Sequence, residues 1–227
     1  MNDKPQTALP RRTRDRILAA ALRLCNELGE PAVTTTSLAD YLRISPGNLY
    51  YHFRNKDDIV NSIFAQFEAE MDRRLSLPAD HQPGLEEVWT YLQKTADFLW
   101  RYRFLYRDIN DLLARNRMLE TRFRGIVERK RKLAMEMCQL LAARGEFTAT
   151  PQQAATLCTN IAVLGTYWLS YQYVLRPRQL NDHEAIRRDL HAGCLHILSL
   201  LAPYLRGSSQ AAYERLAQAY LHQQQEK

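Results

Sequence analysis

Hydrophobic positions along this chain recur at spacings of three and four, with little of the alternation that marks strands, so the pattern predicts helices almost throughout. The first runs from about Thr13 to Leu28, where Ile17, Ala21, Leu24 and Leu28 form a stripe widened by Leu18, Leu22 and Cys25, and Gly29 stops it. Thr34 then caps a run of about two turns, Thr35 to Leu42, with Leu38, Ala39 and Leu42 on one face. A turn at Arg43-Ile44-Ser45 leads into a second short helix. Ser45 caps it, Pro46 suits its first position, and Leu49 with Phe53, four apart, make a small buried pair. Asn55 starts a longer helix through Ile59, Ile63, Phe67 and Met71 to about Leu75, before a break at residues 77–84.

The second half continues in the same period. From Leu85 to about Tyr106 the rings of Trp89, Tyr91, Phe98, Trp100, Tyr102, Phe104 and Tyr106 give more aromatic surface than one stripe hides. A helix from about Asn116 or Met118 to Arg144 ends at Gly145, and Thr150-Pro151 opens another. That helix carries two apolar stripes: Leu157, Ile161, Leu164, Trp168, Tyr171 and Leu175, and beside them Cys158, Ala162, Gly165 and Leu169. Pro177 ends it, Asn181 or Asp182 caps the next, and Ile186, Leu190, Gly193, Ile197 and Leu200 repeat the pattern. Two stripes need two partners, either the domain's own core on both sides or a second subunit where Ala162 and Gly165 leave room. A last short helix, about Ser208 to His222, precedes a Gln-rich end.

The helix starting at Pro46 has two unlike faces. Opposite Leu49 and Phe53 stand Gly47, Asn48, Tyr50, Tyr51 and His52: glycine permits close approach, Asn pairs two ways with adenine, and Tyr and His reach phosphates and thymine methyls. Two short helices joined by a tight turn make a helix-turn-helix. The run Thr34-x-x-x-Leu38-Ala39 followed by Ile44-Ser45-Pro46-Gly47-Asn48-Leu49-Tyr50-Tyr51-His52-Phe53-Arg54-Asn55-Lys56 resembles the N-terminal domain of TetR-family transcriptional regulators, over about residues 12 to 60. The resemblance implies an all-α homodimer: a three-helix DNA-binding domain with the helix-turn-helix, and a larger, variable C-terminal helical domain for ligand binding and dimerisation. Along this chain that places a tail at 1–10, the DNA-binding domain at 11–56 and the second domain at 57–227, with 57–75 as connecting helix.

DNA contacts are accordingly expected from Thr34, Thr35, Arg43, Ser45, Pro46, Gly47, Asn48, Tyr50, Tyr51, His52 and Lys56. The phosphate role of Lys56 comes from the resemblance, aided by its place at a helix N-terminus. One departure is Arg43, which stands where such turns usually carry a small residue, often glycine. The dimer contact is expected from Leu157, Ala162, Gly165, Leu169, Leu190 and Ile197, and a ligand pocket from Phe98, Tyr102, Trp168 and Tyr171.

Bulk properties narrow the remaining classes. At 227 residues, 46% hydrophobic and 25% charged, the chain can bury a sizeable core, and its net charge of +6 favours polyanionic partners. More than all of that excess lies between Arg101 and Lys132, where eleven Arg and Lys face four acids. This stretch is either a solvated face or, beside an aromatic pocket, a site for an anionic effector such as a fatty-acid or acyl-thioester head group. Arg11, Arg12 and Arg14 have two similar meanings, a solvated run or an arm on DNA.

Cys25, Cys138, Cys158 and Cys194 are scattered singly and are expected as reduced core thiols. No apolar run reaches membrane length and none follows the basic N-terminus, so a soluble, cytoplasmic protein is expected. Catalytic and metal-binding motifs are missing, and neither enzyme activity nor a cofactor is expected. The expected function is a dimeric DNA-binding regulator, a repressor released from double-stranded operator DNA by a small apolar or amphipathic inducer. The alternative, an architectural DNA-binding protein without ligand control, gives no use to a large aromatic second domain.

Overall fold

The computed structural model describes residues 13–76, 83–176 and 183–225, which are helical with short connections. The chain divides into two compact units, Met1–Gln66 and Phe67–Lys227, with the boundary inside a helix rather than at its start.

In the first unit α1 (Thr13–Leu28) buries Ile17, Leu18, Ala20, Ala21, Leu24 and Cys25, whereas Leu28, expected on the same stripe, is exposed. Gly29 ends the helix at φ 90°, a conformation glycine adopts without a Cβ clash, and a 3-10 turn (Glu30–Ala32) follows. Then come α2 (Thr35–Leu42), α3 (Pro46–His52) and α4 (Lys56–Arg74), each starting within a residue of where the capping pattern puts it. The first half of α4 buries Ile59, Val60, Ile63 and Phe64, which is why the unit extends past the start of this helix.

The second unit comprises the end of α4 and α5 (Leu85–Arg101), α6 (Arg103–Arg107), α7 (Ile109–Arg115), α8 (Arg117–Ala143), α9 (Pro151–Leu175), α10 (His183–Leu201) and α11 (Gly207–Gln225). Asn116 caps α8 through Leu119 N–H, and Thr150 with Gln153 makes a reciprocal capping box on α9. Helix α9 packs against α6, α8 and α10, while α5 packs against α10 and α11. Phe67, Phe98, Tyr102, Tyr106 and Phe123 form an aromatic core of centroid spacings 5.2–5.9 Å, and Leu85, Cys138, Leu141, Leu157, Cys158, Leu198 and Leu205 an aliphatic one. The two short helices α6 and α7 interrupt a stretch without Gly or Pro. Their breaks at Tyr102 and Asp108 let Tyr102, Phe104, Leu105, Tyr106, Ile109 and Leu112 all point inward.

The expected tail, Arg11, Arg12, the stop at Pro177 and the caps at Asn181 and Asp182 lie outside the described residues. All four cysteines are free and buried. No helix among the described residues is long and apolar enough to cross a membrane.

Candidate DNA-reading face and ligand cavity

Two caps fix the helix-turn-helix. Thr34 Oγ1 accepts the Ser37 N–H while Ser37 Oγ accepts the Thr34 N–H, and Ser45 Oγ accepts the Asn48 N–H. Between them Arg43 takes φ 53° and ψ 45°, the left-handed conformation, and its N–H closes α2 on Ala39 O and Asp40 O. Leu49 and Phe53 anchor α3 from beneath, and Thr35 Oγ1 meets the Tyr50 hydroxyl at 3.2 Å, tying α2 to α3. With its base locked, α3 presents the opposite face to solvent. Tyr51 is 85% exposed, its ring meeting His52 edge-on, and Gly47, Asn48 and Tyr50 are exposed beside it. Nothing inside the protein requires glycine at position 47, where a Cβ would meet only Ser45 Oγ at 4.0 Å.

Two basic residues of this unit are engaged internally. Arg14 donates to Ser62 Oγ and lies over the Phe53 ring. Lys56 donates to the Glu30 carbonyl at 2.6 Å and pairs with the Glu30 carboxylate at 2.8 Å, the latter side chain 1% exposed. Lys56, expected on a phosphate, is thus also tied to a buried acid of its own unit, whose carboxylate would be costly if uncompensated.

The second unit contains a cavity of about 700 Å³, within the range that encloses a small molecule. Its wall is mostly apolar, from Met71 of α4, Val88, Leu92 and Leu99 of α5, Leu133 and Met137 of α8, Ile161, Leu164 and Leu169 of α9, and Leu190, Ile197 and Leu201 of α10. Lys130 and Tyr106 supply polar groups. Lys130 Nζ donates to Gly165 O at 2.9 Å and Thr166 Oγ1 at 3.3 Å and lies 5.1 Å from the centre of the Tyr106 ring. Burial lowers Lys130 from 10.5 to about 7 and raises the Tyr106 phenol.

Of the four aromatics expected at the pocket, the structure brings one to it. Trp168 lines the cavity, its indole seated on Gly193 and its Nε1–H donating to Asp189 O at 2.6 Å. Phe98 and Tyr102 are instead closed into the aromatic core against Phe67, and Tyr171 is half-exposed on the outward side of α9. The sequence reading missed Lys130, hidden among ten other basic residues of its stretch. Most of those are solvated and paired with acids, as Arg115 is with Asp111, Arg122 with Glu68, Arg124 with Glu120 and Arg129 with Asp72.

A family model described as bacterial regulatory proteins, tetR family, matches residues 17–63, and another described as a bacterial transcriptional repressor, TetR, matches residues 66–213, more than half the chain. The chain belongs to the TetR family. It is 32% identical over 108 residues to the tetracycline repressor protein class G of Vibrio anguillarum, across 47% of this chain and 49% of that protein, so it spans about half the length of that relative. A TetR-family transcriptional regulator from Marinobacter aquaeolei VT8, solved as a crystal structure, is 34% identical with a TM-score of 0.82 over 92% of this chain and 98% of its own. SmeT, the repressor of a Stenotrophomonas maltophilia multidrug efflux pump, solved in complex with triclosan, shares the fold at 16% identity and a TM-score of 0.58 over 87% and 93%.

Regulators of this family bind DNA, and the chain has their fold, all-α with an N-terminal helix-turn-helix domain and a helical C-terminal domain. The residues expected at a dimer contact need correction within this fold. Leu157, Ala162, Leu169 and Leu190 are buried inside the single chain, Gly165 faces Ile197 at 3.9 Å, and Gly165, Leu169, Leu190 and Ile197 line the cavity. Most of both apolar stripes of α9 is covered by α8 and α10 of the same chain, but Tyr171 and Leu175 at the end of the first stripe are exposed. What α9 leaves in solvent includes a row, Val163, Tyr167, Tyr171 and Val174, spaced four, four and three.

Proposed function

We propose that this regulator is a homodimeric repressor that binds a short, near-palindromic operator through α3 and is released by a small apolar or amphipathic molecule held in the cavity. The observation that carries the proposal is the continuity of α4. One helix begins at Lys56, beside the end of α3, and contributes Met71, Arg73 and Arg74 to the cavity wall at its other end. A ligand opposes DNA only if the two favour different conformations, and a single helix shared by both sites gives that difference a physical carrier.

On α3 the exposed Asn48 and Tyr51 are suited to base edges, and the exposed Tyr50 and Arg43 with the half-buried His52 and, on α2, Thr35 to phosphates, with Thr34, Ser45 and Pro46 holding the backbone in place. The open space over Gly47 is explained by close approach of a duplex. The row Val163, Tyr167, Tyr171 and Val174 is the surface we assign to the second subunit, because it is apolar, outward and continuous along α9. SmeT with triclosan is a family precedent for a bound apolar molecule, at an identity that supports the fold alone. An architectural role without ligand control leaves the cavity unexplained.

The test has two parts. Duplexes selected from a random library should show dyad symmetry and be bound by a dimer, and a selected site without such symmetry would sink the reading. Ligand affinity measured with and without saturating operator should then differ by about 5- to 150-fold. Equal affinity in both conditions removes that molecule as inducer.

A further inference from the structure

Lys130 is the group in the second unit that the DNA-binding function leaves unexplained. A lysine side chain costs several kcal/mol to desolvate and is ordinarily paired with a carboxylate when inside. Here none is. Among the described residues its Nζ meets a carbonyl, a hydroxyl and a ring face, all neutral. It is half-buried, and it faces the cavity. Two of its three N–H bonds have oxygen acceptors, and the neighbouring Tyr106 hydroxyl, which is buried, has no hydrogen-bond partner among the described residues.

The other charged and titratable groups on the wall sit differently. Tyr91 and Lys94 on α5, Cys194 on α10 and Arg73 and Arg74 at the end of α4 line the cavity too, with Lys94 exposed and Arg74 bound to Glu70. The two acids, Glu86 and Glu87, are occupied by Arg215 and by the Gly84 N–H. A neutral apolar ligand makes no use of a cavity-facing amine that is expensive to keep. An amine ligand is repelled by it.

We propose that the cavity takes an apolar molecule bearing a single carboxylate, and that this carboxylate docks on Lys130 Nζ with the apolar body along Leu133, Ile161, Leu169 and Ile197. The proposal rests on the cavity being the effector site. It carries a linkage of definite sign. An empty site with Lys130 titrating at about 7 is largely uncharged near pH 8, and an arriving carboxylate favours the ammonium. Binding therefore takes up close to about one proton at about pH 8 and much less at about pH 6, so affinity falls as pH rises through the empty-site value.

The experiment is titration calorimetry of the full chain with decanoate, decanol and decylamine, in buffers of different ionisation enthalpy. Decanoate should bind about ten-fold or more tighter than either analogue, with proton uptake at the higher pH. Lys130→Met should bring decanoate and decanol within about three-fold and abolish the uptake, and Lys130→Gln, which keeps a donor to Gly165 O, should do the same if the first variant folds poorly. Lys132→Gln, at an exposed lysine of α8 outside the cavity wall, should leave the preference intact. Decanol binding as well as decanoate, a preference that survives both Lys130 variants, or failure of all three probes to bind would overturn the proposal. If decanoate binds through Lys130 and operator affinity does not change, the head-group assignment stands and the inducer reading of the cavity falls.

Discussion

Residues 13–66 turn their chemistry outward on a close-packed base, whereas residues 67–225 enclose theirs around empty space. Between Ala21, Cys25, Leu38, Ile59 and Val60 of the first unit there is a void of about 10 Å³, barely room for one water, while the second unit keeps about 700 Å³ open. The polar groups follow the same division. Asn48, Tyr50 and Tyr51 stand in solvent, and Lys130, Thr166 and Tyr106 stand inside. A duplex is too large to enclose, so its partner must offer a convex face whose geometry is fixed in advance. A small molecule gains most from enclosure and tolerates a polar contact only where it replaces one lost to water. The first unit is thus vulnerable to loss of a contact, and the second to gain of an atom.

The largest expected effect breaks the close-packed unit by removing one charge. Lys56→Ala leaves the Glu30 carboxylate buried without its ammonium, and chemical denaturation should show a loss of about 3 kcal/mol, the low end of such effects because Lys56 keeps some contact with water. Pairing Lys56→Met with Glu30→Gln should restore most of it. If stability holds and the slope of operator affinity against salt flattens by about one unit instead, Lys56 belongs to a phosphate and the internal pair is incidental.

Adding one carbon tests the hollow unit. A Cβ at Gly193 would stand 2.7 Å from Trp168 Cδ1, and the ring is held at its nitrogen by Asp189 O, so Gly193→Ala must displace the indole or part α9 from α10. A stability loss of about 1–3 kcal/mol is expected, with a shift in tryptophan emission, since Trp168 is on the cavity wall. Unchanged emission and stability would mean the two helices part freely at this point.

The outward face answers to a different measurement. Asn48→Ala and Tyr51→Ala remove side chains that touch little within the protein, so folding stability should be nearly unchanged while base preference relaxes at particular positions by about 1–3 kcal/mol each. Uniform weakening across operator variants assigns them to phosphates.

The same division explains what the sequence made legible. Both short helices, their caps and the buried pair Leu49 and Phe53 follow from rules that act within four or five residues, so the reading helix was readable before any tertiary contact was known. In the second unit periodicity located α8, α9 and α10 but not which stripe faced what. Leu157, Ala162 and Leu169 look equally suited to a partner subunit and to α8 or α10, and tertiary packing alone chose the latter. The breaks that separate α5, α6 and α7 carry no Gly or Pro signal. Phe98 and Trp168 are both half of an aromatic crowd, and the hollow beside Trp168 is made by Gly193, 25 positions away in the chain. Lys130 was not legible because the contacts that set it apart, with Gly165 O and Thr166 Oγ1, come from another helix far along the chain.

The smallest effect separates shape from charge at one residue of the reading unit. Arg43 is the one non-glycine residue among those described with positive φ, and the left-handed region costs an L side chain about 1 kcal/mol or more. Arg43→Gly removes that cost, partly offset by the greater freedom of glycine in the unfolded chain, so the folded state should gain about 0.5–1 kcal/mol. If conformation were all that mattered at the turn, operator affinity would hold or rise with it. Arg43 is also exposed at the junction of α2 and α3, where a duplex read by α3 would bring a phosphate. On that account the more stable variant binds more weakly, equally across operator sequences, and its salt slope is lower by about one unit. Arg43→Ala keeps the strain and loses the charge, and should lose both stability relative to the glycine variant and the same share of affinity. An Arg43→Gly protein that is stabler and binds DNA undiminished would show that the arginine is tolerated at this turn rather than used.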